Sequence, residues 1–279
     1  MHRVVRRTVL GPQVVRLEVE APRIARIRQP GQFVIVRLAE DKERVPLTIA
    51  DTDVQAGTIS LVIQQVGKST TLLGNLQAGQ SVQDIVGPLG HPTHLENCAH
   101  AVCIGGGVGT AVVYPIAKAL AAAGTPVTAI IGGRSRQLVI LENEMKAICR
   151  AVLATTDDGS YGRKGLVTDA LGELLAGAQP PVGVVYAVGP VPMMKAVAEM
   201  TRAPAVKTIV SLNPIMIDGT GMCGGCRVTI GGKTQFACVD GPEFDGHLVD
   251  FDELADRLAM YRGQEAEAMD HCRLTLKAD

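Results

Sequence analysis

Three cysteines and one aspartate in the C-terminal part of the chain form the strongest chemical pattern in the sequence. The run Asp218-Gly-Thr-Gly-Met-Cys223-Gly-Gly-Cys226 is followed by Cys238 after eleven intervening residues. This is the spacing of a plant-type ferredoxin loop, with Asp218 at the position of the first cysteine. Iron bridged by sulfide prefers soft, charge-donating thiolates, and the glycines let the backbone wrap closely around a cluster. The pattern therefore predicts a [2Fe-2S] cluster held by Asp218, Cys223, Cys226 and Cys238.

Two other interpretations of these residues stay open at the level of sequence. A zinc knuckle could use the same aspartate and three cysteines, although zinc ligands more often come as two paired knuckles and only one C-x2-C pair is present. A C-x2-C redox disulfide is the second alternative. Seven cysteines are an odd number, and three of them lie within sixteen residues, which suits a reducing compartment with a metal site. We therefore expect a cytoplasmic protein.

Glycine-rich turns predict a second site, for a nucleotide. Gly105-Gly106-Gly107-Val108-Gly109-Thr110 follows an apolar run and precedes a helical pattern, where backbone N–H groups and the helix dipole can bind a pyrophosphate. Gly189-Pro190 and Gly132-Gly133-Arg134 follow two further predicted strands, and open α/β sheets bind ligands at such strand ends. Arg134 could meet a 2′-phosphate or remain a solvated charge, so the choice between NADH and NADPH stays open.

Two motifs in the N-terminal part supply further polar groups. Arg44-Val45-Pro46-Leu47-Thr48 places one cation and one hydroxyl on a rigid extended turn, and Gly67-Lys68-Ser69-Thr70 predicts a helix start with free amides. Arg44 could pair with a pyrophosphate, Thr48 could bond a flavin, and the second loop could donate to phosphate oxygens. Taken alone, each motif is more often turn chemistry or helix capping.

The apolar pattern indicates which elements position these residues. Residues 1–97 contain short alternating runs separated by Gly, Pro and Asp turns, which predicts an antiparallel β-barrel. Residues 98–210 alternate apolar strands with helices, which predicts a doubly wound parallel sheet. Residues 211–247 show little periodicity, so we expect a bound group to order them, and residues 248–279 are predicted to form one helix.

The composition of the chain argues against two classes of partner. Its 279 residues carry 27 basic and 28 acidic side chains, with 3% aromatic residues and no Trp, so it has neither the charge nor the stacking surfaces that nucleic acid binding requires. The long uncharged stretch 101–133 contains Lys118 and many glycines, which favours a buried strand, helix and strand over a membrane span. We therefore expect a soluble protein without nucleic acid or membrane partners.

Together these motifs resemble the ferredoxin–NADP reductase superfamily, in which a flavin-binding barrel precedes a nicotinamide-binding domain. The order Arg-Val-Pro-Leu-Thr, Gly-Lys-Ser-Thr, Gly-Gly-Gly-Val-Gly-Thr, Gly-Pro-Val-Pro-Met-Met and a C-terminal cluster is similar to the dihydroorotate dehydrogenase electron-transfer branch. That branch normally has four cysteine ligands. The Asp218 loop and Cys238-Val-Asp-Gly-Pro-Glu-Phe-Asp-Gly most resemble the small subunits of NADH-dependent reduced ferredoxin:NADP oxidoreductases, also described as sulfide dehydrogenase subunits.

The resemblance implies two sets of cofactor-binding residues. FAD would be bound by Arg44, Pro46, Leu47, Thr48, Gly67, Lys68, Ser69 and Thr70. NAD(H) or NADP(H) would be bound by Gly105, Gly106, Gly107, Val108, Gly109, Thr110, Gly189 and Pro190. The cofactors would carry out hydride transfer themselves, so no catalytic side chain is expected.

The resemblance also implies a partner and a route for the electrons. Electrons would pass singly through the cluster to or from a larger flavoprotein subunit with a second FAD and [4Fe-4S] clusters, in an enzyme that bifurcates NADPH electrons between ferredoxin and NAD. The alternatives are the small subunit of a sulfide or polysulfide dehydrogenase, or of a dihydroorotate dehydrogenase. A non-catalytic redox-sensing subunit is a further alternative.

Overall fold

The computed structural model describes the backbone of residues 1–275 and the side chains of residues 1–272. Its N-terminal part consists of seven strands and two short helices within those residues. They are β1 (His2–Gly11), β2 (Val14–Glu20), α1 (Pro22–Ile27), β3 (Phe33–Arg37), β4 (Arg44–Asp53), β5 (Thr58–Gln64), α2 (Lys68–Gly74), β6 (Ser81–Val82) and β7 (Asp84–Leu89).

These strands form one antiparallel sheet that curls into a nearly closed barrel. The strand order is β6-β1-β2-β5-β4-β3-β7. Alternate side chains of a strand point to opposite faces, and on β2 the alternating residues Val15, Leu17 and Val19 are buried in the barrel interior. The predicted antiparallel barrel is confirmed.

The second part of the chain alternates strands and helices. Its elements are β8 (Ala101–Gly106), α3 (Gly109–Ala122), β9 (Val127–Gly133), α4 (Glu142–Ile148), β10 (Ala151–Thr156), β11 (Arg163–Lys164), α5 (Val167–Gly177), β12 (Val184–Val188), α6 (Val191–Arg202) and β13 (Lys207–Ser211). The sheet order is β11-β10-β9-β8-β12-β13, and all these pairs are parallel. β12 is buried along its whole length, as expected for a strand between two helical layers. The predicted doubly wound sheet is confirmed.

The segment 211–247 contains more regular structure than its sequence pattern indicates. β14 (Arg227–Ile230) and β15 (Lys233–Phe236) form a hairpin, and β16 (Glu243–Asp245) pairs antiparallel with β13 at the edge of the large sheet. These strands have only three or four residues, and so short a strand shows no apolar period. The segment is therefore joined by backbone hydrogen bonds to the α/β domain.

The predicted single helix over 248–279 is instead two helices in the described residues. α7 covers Phe251–Ala259 and α8 covers Arg262–Thr275. The chain turns between them because the two helices pack on different parts of the molecule: α7 contacts α6 and β14, whereas α8 contacts α2 beside the barrel. Residues 276–279 lie outside the described part. No helix in residues 1–275 has the length and apolarity needed to cross a bilayer.

Candidate functional site

A cavity of about 760 Å³ lies between the barrel and the α/β domain. Ten of the residues that the sequence predicts as cofactor-binding line this cavity: Pro46, Leu47, Thr48, Gly106, Gly107, Val108, Gly109, Arg134, Gly189 and Pro190. The barrel contributes β4, and the α/β domain contributes the loops after β8, β9 and β12. The structure thus brings together two motifs that are about sixty residues apart in the sequence.

The glycine loop after β8 packs too tightly to accept side chains. A Cβ atom at Gly109 would lie 2.2 Å from the Val188 carbonyl oxygen, and one at Gly106 would lie 2.5 Å from Met193 Sδ. α3 starts at Gly109 without a side-chain cap, so its positive end opens on the cavity. This loop can therefore bring backbone N–H groups close to an anionic ligand.

Two predicted residues of this loop lie behind the cavity instead of lining it. A Cβ atom at Gly105 would be 2.5 Å from the Cα atom of Thr110, and Thr110 is 1% exposed. Neither residue reaches the cavity. They set how closely β8 approaches α3, so they shape the loop without lining the cavity themselves.

The structure separates the predicted flavin-binding residues into two groups. Arg44 and the Gly67–Thr70 loop do not line the main cavity. Lys68 and Ser69 instead line a smaller cavity of about 250 Å³ together with Lys42 and Glu43. α2 begins at Lys68, and Gly67 has no side chain to cap its first amides. Arg44 is solvent-exposed and forms no ion pair with the described residues.

Several residues of the main cavity have no motif in the sequence that indicates a site. Thr155 and Asp157 lie at the carboxyl end of β10, where the strand-end rule already points to ligand binding. Residues 211–214 comprise the last residue of β13, a strand whose sequence shows no clear period, and the three residues after it. The remaining unrecognised residues in the wall include Val14, Phe33, Gln64, Leu138, Ile140, Leu166, Val167, Thr168, Met193 and Met216.

Only two of the four predicted metal ligands have sulfur atoms close together. Cys226 Sγ and Cys238 Sγ are 3.2 Å apart and buried, whereas Cys223 is exposed. Their separation exceeds the disulfide bond length of about 2.05 Å, and all cysteines in residues 1–272 are free. In the same part of the chain, no three His, Cys, Asp or Glu side chains converge to form a metal site.

The Asp218 carboxylate is hydrogen-bonded to backbone amides of its own loop. Its Oδ1 accepts a hydrogen bond from the Thr220 amide at 2.8 Å, and its Oδ2 accepts one from the Cys223 amide at 2.9 Å. These bonds hold the pKa of Asp218 below its usual value. Burial, with a contribution from Cys226, raises the pKa of Cys238 to about 12. A bound cation would therefore be needed to keep Cys238 as a thiolate at neutral pH.

The composition and backbone of this loop fit an iron–sulfur cluster. Three cysteines supply soft thiolate donors once deprotonated, and the Asp218 carboxylate adds one harder anionic donor that can fill an iron site. Gly219, Gly221 and Gly224 have φ angles of +75°, +84° and +65°, a conformation that favours glycine and lets the loop curl tightly. A Cβ atom at Gly219 would lie 2.8 Å from Ile35 Cγ1, so the loop also packs directly against the barrel.

The loop and the cavity share a wall. Met216 precedes Asp218 by two residues, Pro242 follows Cys238 by four, and both line the main cavity. Cys226 and Cys238 belong to the same buried apolar cluster as Phe33 of β3, which also lines the cavity. The predicted cluster site is therefore adjacent to the cavity that contains the predicted flavin and nucleotide residues.

Comparisons with known proteins agree with this arrangement. Residues 103–199 match the family model of the oxidoreductase NAD-binding domain, and residues 213–250 match the iron-sulfur cluster binding domain of dihydroorotate dehydrogenase B. A Thermotoga maritima homolog of the dihydroorotate dehydrogenase B (NAD(+)) electron transfer subunit is 46% identical, with 95% of this chain and 93% of that protein covered. The electron transfer subunit of Geobacillus thermodenitrificans is 35% identical, with 86% and 94% covered.

Solved structures show the same relationship. A chain of the NADH-dependent reduced ferredoxin-NADP oxidoreductase, studied for flavin-based electron bifurcation, has 45% identity and a TM-score of 0.91, with 97% of each chain covered. The ferredoxin reductase of carbazole 1,9a-dioxygenase, at 21% identity and a TM-score of 0.62, covers 74% of this chain and 64% of its own, and shares the fold. The predicted superfamily is confirmed. The chain belongs to the family of dihydroorotate dehydrogenase B electron transfer subunits and their homologues, and it is an NAD-binding, iron–sulfur oxidoreductase subunit.

Proposed function

We propose that this chain exchanges a hydride between NAD(H) and FAD and passes single electrons through a [2Fe-2S] cluster to or from a larger flavoprotein subunit. One observation carries the proposal: a single cavity is lined by β4 of the barrel, by the glycine loop of the α/β domain and by the flanks of the cluster loop. When bound, FAD supplies the conversion between two-electron and one-electron transfer. The residues of the chain bring the three sites together.

The α/β side of the cavity binds the nicotinamide nucleotide. Gly106 to Gly109 would receive the pyrophosphate at the start of α3, and Gly189-Pro190 pack directly beside this loop, where a Cβ atom at Gly106 would lie 3.1 Å from Pro190 Cδ. Asp157 places a carboxylate among the lining residues, and a carboxylate accepts hydrogen bonds from ribose hydroxyls but repels a 2′-phosphate. This favours NAD(H) over NADP(H), although Arg134 lies in the same wall.

The barrel side would hold FAD. Pro46, Leu47 and Thr48 would hold its flavin end, and the Thr48 hydroxyl and the Gln64 amide are polar groups of the barrel that line the cavity. Arg44 and the first amides of α2, which lie outside this cavity, would hold its pyrophosphate. Apolar residues such as Phe33 and Met216 exclude water from the inner wall.

The surface around the cluster loop is where the partner docks. Met222 is 88% exposed, Ile217 is 50% exposed and Val239 is 38% exposed, and all three lie on the cluster loop or beside its distal cysteine. Exposed apolar side chains grouped in this way mark interaction surfaces. The partner is a larger flavoprotein with FAD and [4Fe-4S] clusters in a cytoplasmic enzyme, and a short path to the cluster requires contact at this surface.

A dihydroorotate-oxidising complex is the second candidate, because the relatives with that name include the Geobacillus thermodenitrificans subunit at 35% identity. Asp218 favours the bifurcating ferredoxin:NADP oxidoreductase. The dihydroorotate branch normally has four cysteine ligands, whereas this chain has an aspartate at the first of these positions. Copurification from the native source distinguishes the two. A partner with [4Fe-4S] clusters supports the first candidate, and a partner that oxidises dihydroorotate supports the second.

The first experiment is anaerobic purification of the chain, with iron, sulfide and flavin analysis and a visible spectrum before and after addition of NADH. We expect about two iron and two sulfide per FAD and bleaching by NADH. Zinc without sulfide would contradict electron transfer through residues 218–238. A cluster-loaded chain that NADH does not bleach would support the redox-sensing alternative instead.

A further inference from the structure

Arg257 of α7 contacts the cluster loop between two of its cysteines. Its Nη2 atom donates a hydrogen bond to the Gly225 carbonyl oxygen at 3.1 Å, and Gly225 lies between Cys223 and Cys226. Arg257 follows the buried Leu254 by three residues, so the two share the face of α7 that packs on the cluster segment. The helix thus presents a cation to the backbone that carries the ligands.

The guanidinium group is only partly satisfied. Its Nε atom is buried and has no hydrogen-bond partner among the described residues, and Arg257 forms no ion pair with them. An unpartnered buried N–H group is destabilising. A nearby anionic group that accepts this N–H would offset the cost. The thiolates and sulfides of an iron–sulfur cluster are such a group, and they accept N–H hydrogen bonds.

We propose that Arg257 is a positioning residue of the iron–sulfur site, and that its positive charge stabilises the reduced cluster. Nη2 holds the Gly225 carbonyl and so fixes the backbone between Cys223 and Cys226. The reduced cluster carries one more negative charge than the oxidised cluster, so a neighbouring cation favours reduction. This inference rests on the proposed [2Fe-2S] cluster and adds a residue outside the ligand loop that sets its potential.

The test compares Arg257→Gln and Arg257→Lys in the full chain, purified anaerobically with its cofactors. Both variants lose the geometry of the Gly225 bond, but only Lys keeps the charge. Arg202→Gln is the matched control, because Arg202 Nη2 also donates to a carbonyl oxygen, that of His247 at 2.9 Å, outside the ligand loop. Iron and sulfide per chain, the electron paramagnetic resonance spectrum of the reduced cluster and its midpoint potential are measured.

We expect Arg257→Gln to shift the cluster equilibrium about tenfold toward the oxidised form, which is about 59 mV for a one-electron couple. In Arg257→Lys this equilibrium should remain within about threefold of its wild-type value, and in Arg202→Gln it should equal the wild-type value. Equal shifts in the Gln and Lys variants, or no shift in either, would overturn the charge role. If Arg257→Gln does not retain the cluster, a tenfold shift in Arg257→Lys alone overturns it. A wild-type chain without iron and sulfide would contradict the proposed function itself.

Discussion

At the scale of single residues, Asp218 combines an observed role in its loop with a predicted role as a cluster ligand. Both of its carboxylate oxygens accept amide hydrogen bonds from its own loop, from Thr220 and Cys223. Asp218 is also at the position that the first of the four cysteines takes in a ferredoxin-type loop. A ligand to iron and a cap for the loop need different chemistry, so substitutions can separate the two roles.

We predict that Asp218→Cys retains the cluster with an altered visible spectrum, and that Asp218→Asn lowers the iron content of the purified chain at least about tenfold. A thiolate replaces the carboxylate as a ligand, whereas a neutral amide binds iron poorly but can still accept an amide hydrogen bond. Iron and sulfide analysis of both variants is the measurement. Retention by Asn together with loss by Cys would mean that Asp218 only orders the loop.

Glu243 of β16 is a buried carboxyl group away from the cluster ligands. Its Oε1 accepts a hydrogen bond from the Thr93 hydroxyl at 2.6 Å. Burial raises the pKa of Glu243 to about 7, and the Thr93 bond opposes this shift only in part. The folded state therefore binds the proton more tightly than the unfolded state, so this group contributes stability at low pH that is lost as the pH rises from about 5 to 7.

We predict that Glu243→Gln raises the thermal midpoint at pH 8 and leaves it unchanged near pH 4.5. The neutral amide avoids the cost of a buried charge, about 1 to 3 kcal/mol above pH 7, and can still accept the Thr93 hydrogen bond. Thermal unfolding of both proteins across this pH range is the measurement. A difference between them that is constant with pH would show that Glu243 does not titrate there.

At the scale of elements, the start of α3 depends on one close contact. Gly109 must be glycine because a Cβ atom would lie 2.2 Å from the Val188 carbonyl oxygen at the end of β12. α3 therefore approaches β12 only with glycine at this position. The loop that opens on the cavity takes its shape from this packing.

We predict that Gly109→Ala lowers kcat/KM for NADH by about 10²-fold, because moving the loop by about 1 Å misplaces the nucleotide. The flavin content should stay unchanged, since FAD is assigned to the barrel. Gly177→Ala is the control, because its Cβ atom would meet nothing within 4 Å. NADH-dependent reduction of an artificial electron acceptor is the assay. Equal activity of the two variants would contradict a nucleotide site at this loop.

At the scale of the whole molecule, charged side chains join the barrel to the α/β domain. Asp51 of β4 accepts hydrogen bonds from Lys118 Nζ of α3 at 2.9 and 3.1 Å. Arg28 lies 3.5 Å from the same carboxylate, and burial lowers the pKa of Arg28. β4 also carries Pro46 to Thr48, so this contact helps set the position of the predicted flavin residues relative to the glycine loop.

We predict that Asp51→Asn destabilises the protein by about 2 kcal/mol, because it leaves the Arg28 cation buried without a carboxylate. Lys118→Met should cost less than about 1 kcal/mol, since the ion pair it removes is partly exposed. Urea unfolding of the two variants is the measurement. A larger loss from Lys118→Met would show that the contact with α3, and not the buried cation, dominates.

The sequence pattern predicts an element correctly where the physical cause of that element is local. Apolar runs and glycine turns predicted the barrel, the parallel sheet and the loop from Gly105 to Thr110. β14, β15 and β16 do not follow from the pattern because strands of three or four residues have no measurable period, and the pairing of β16 with β13 depends on neighbours far away in the sequence. The break between α7 and α8 was missed because it follows from packing on two different surfaces.

The family and the chemical groups of the site follow from the sequence: three thiols and a carboxylate at ferredoxin-like spacing, and glycines where a backbone must approach an anion. Local spacing carries that information because ligand loops and helix starts are built from neighbouring residues. Which distant residues come together follows only from the packing of the folded chain. Pro46 and Gly107 line one cavity, Arg44 lies outside it, and Arg257 contacts Gly225. Such contacts depend on how distant elements pack, which no short stretch of sequence specifies.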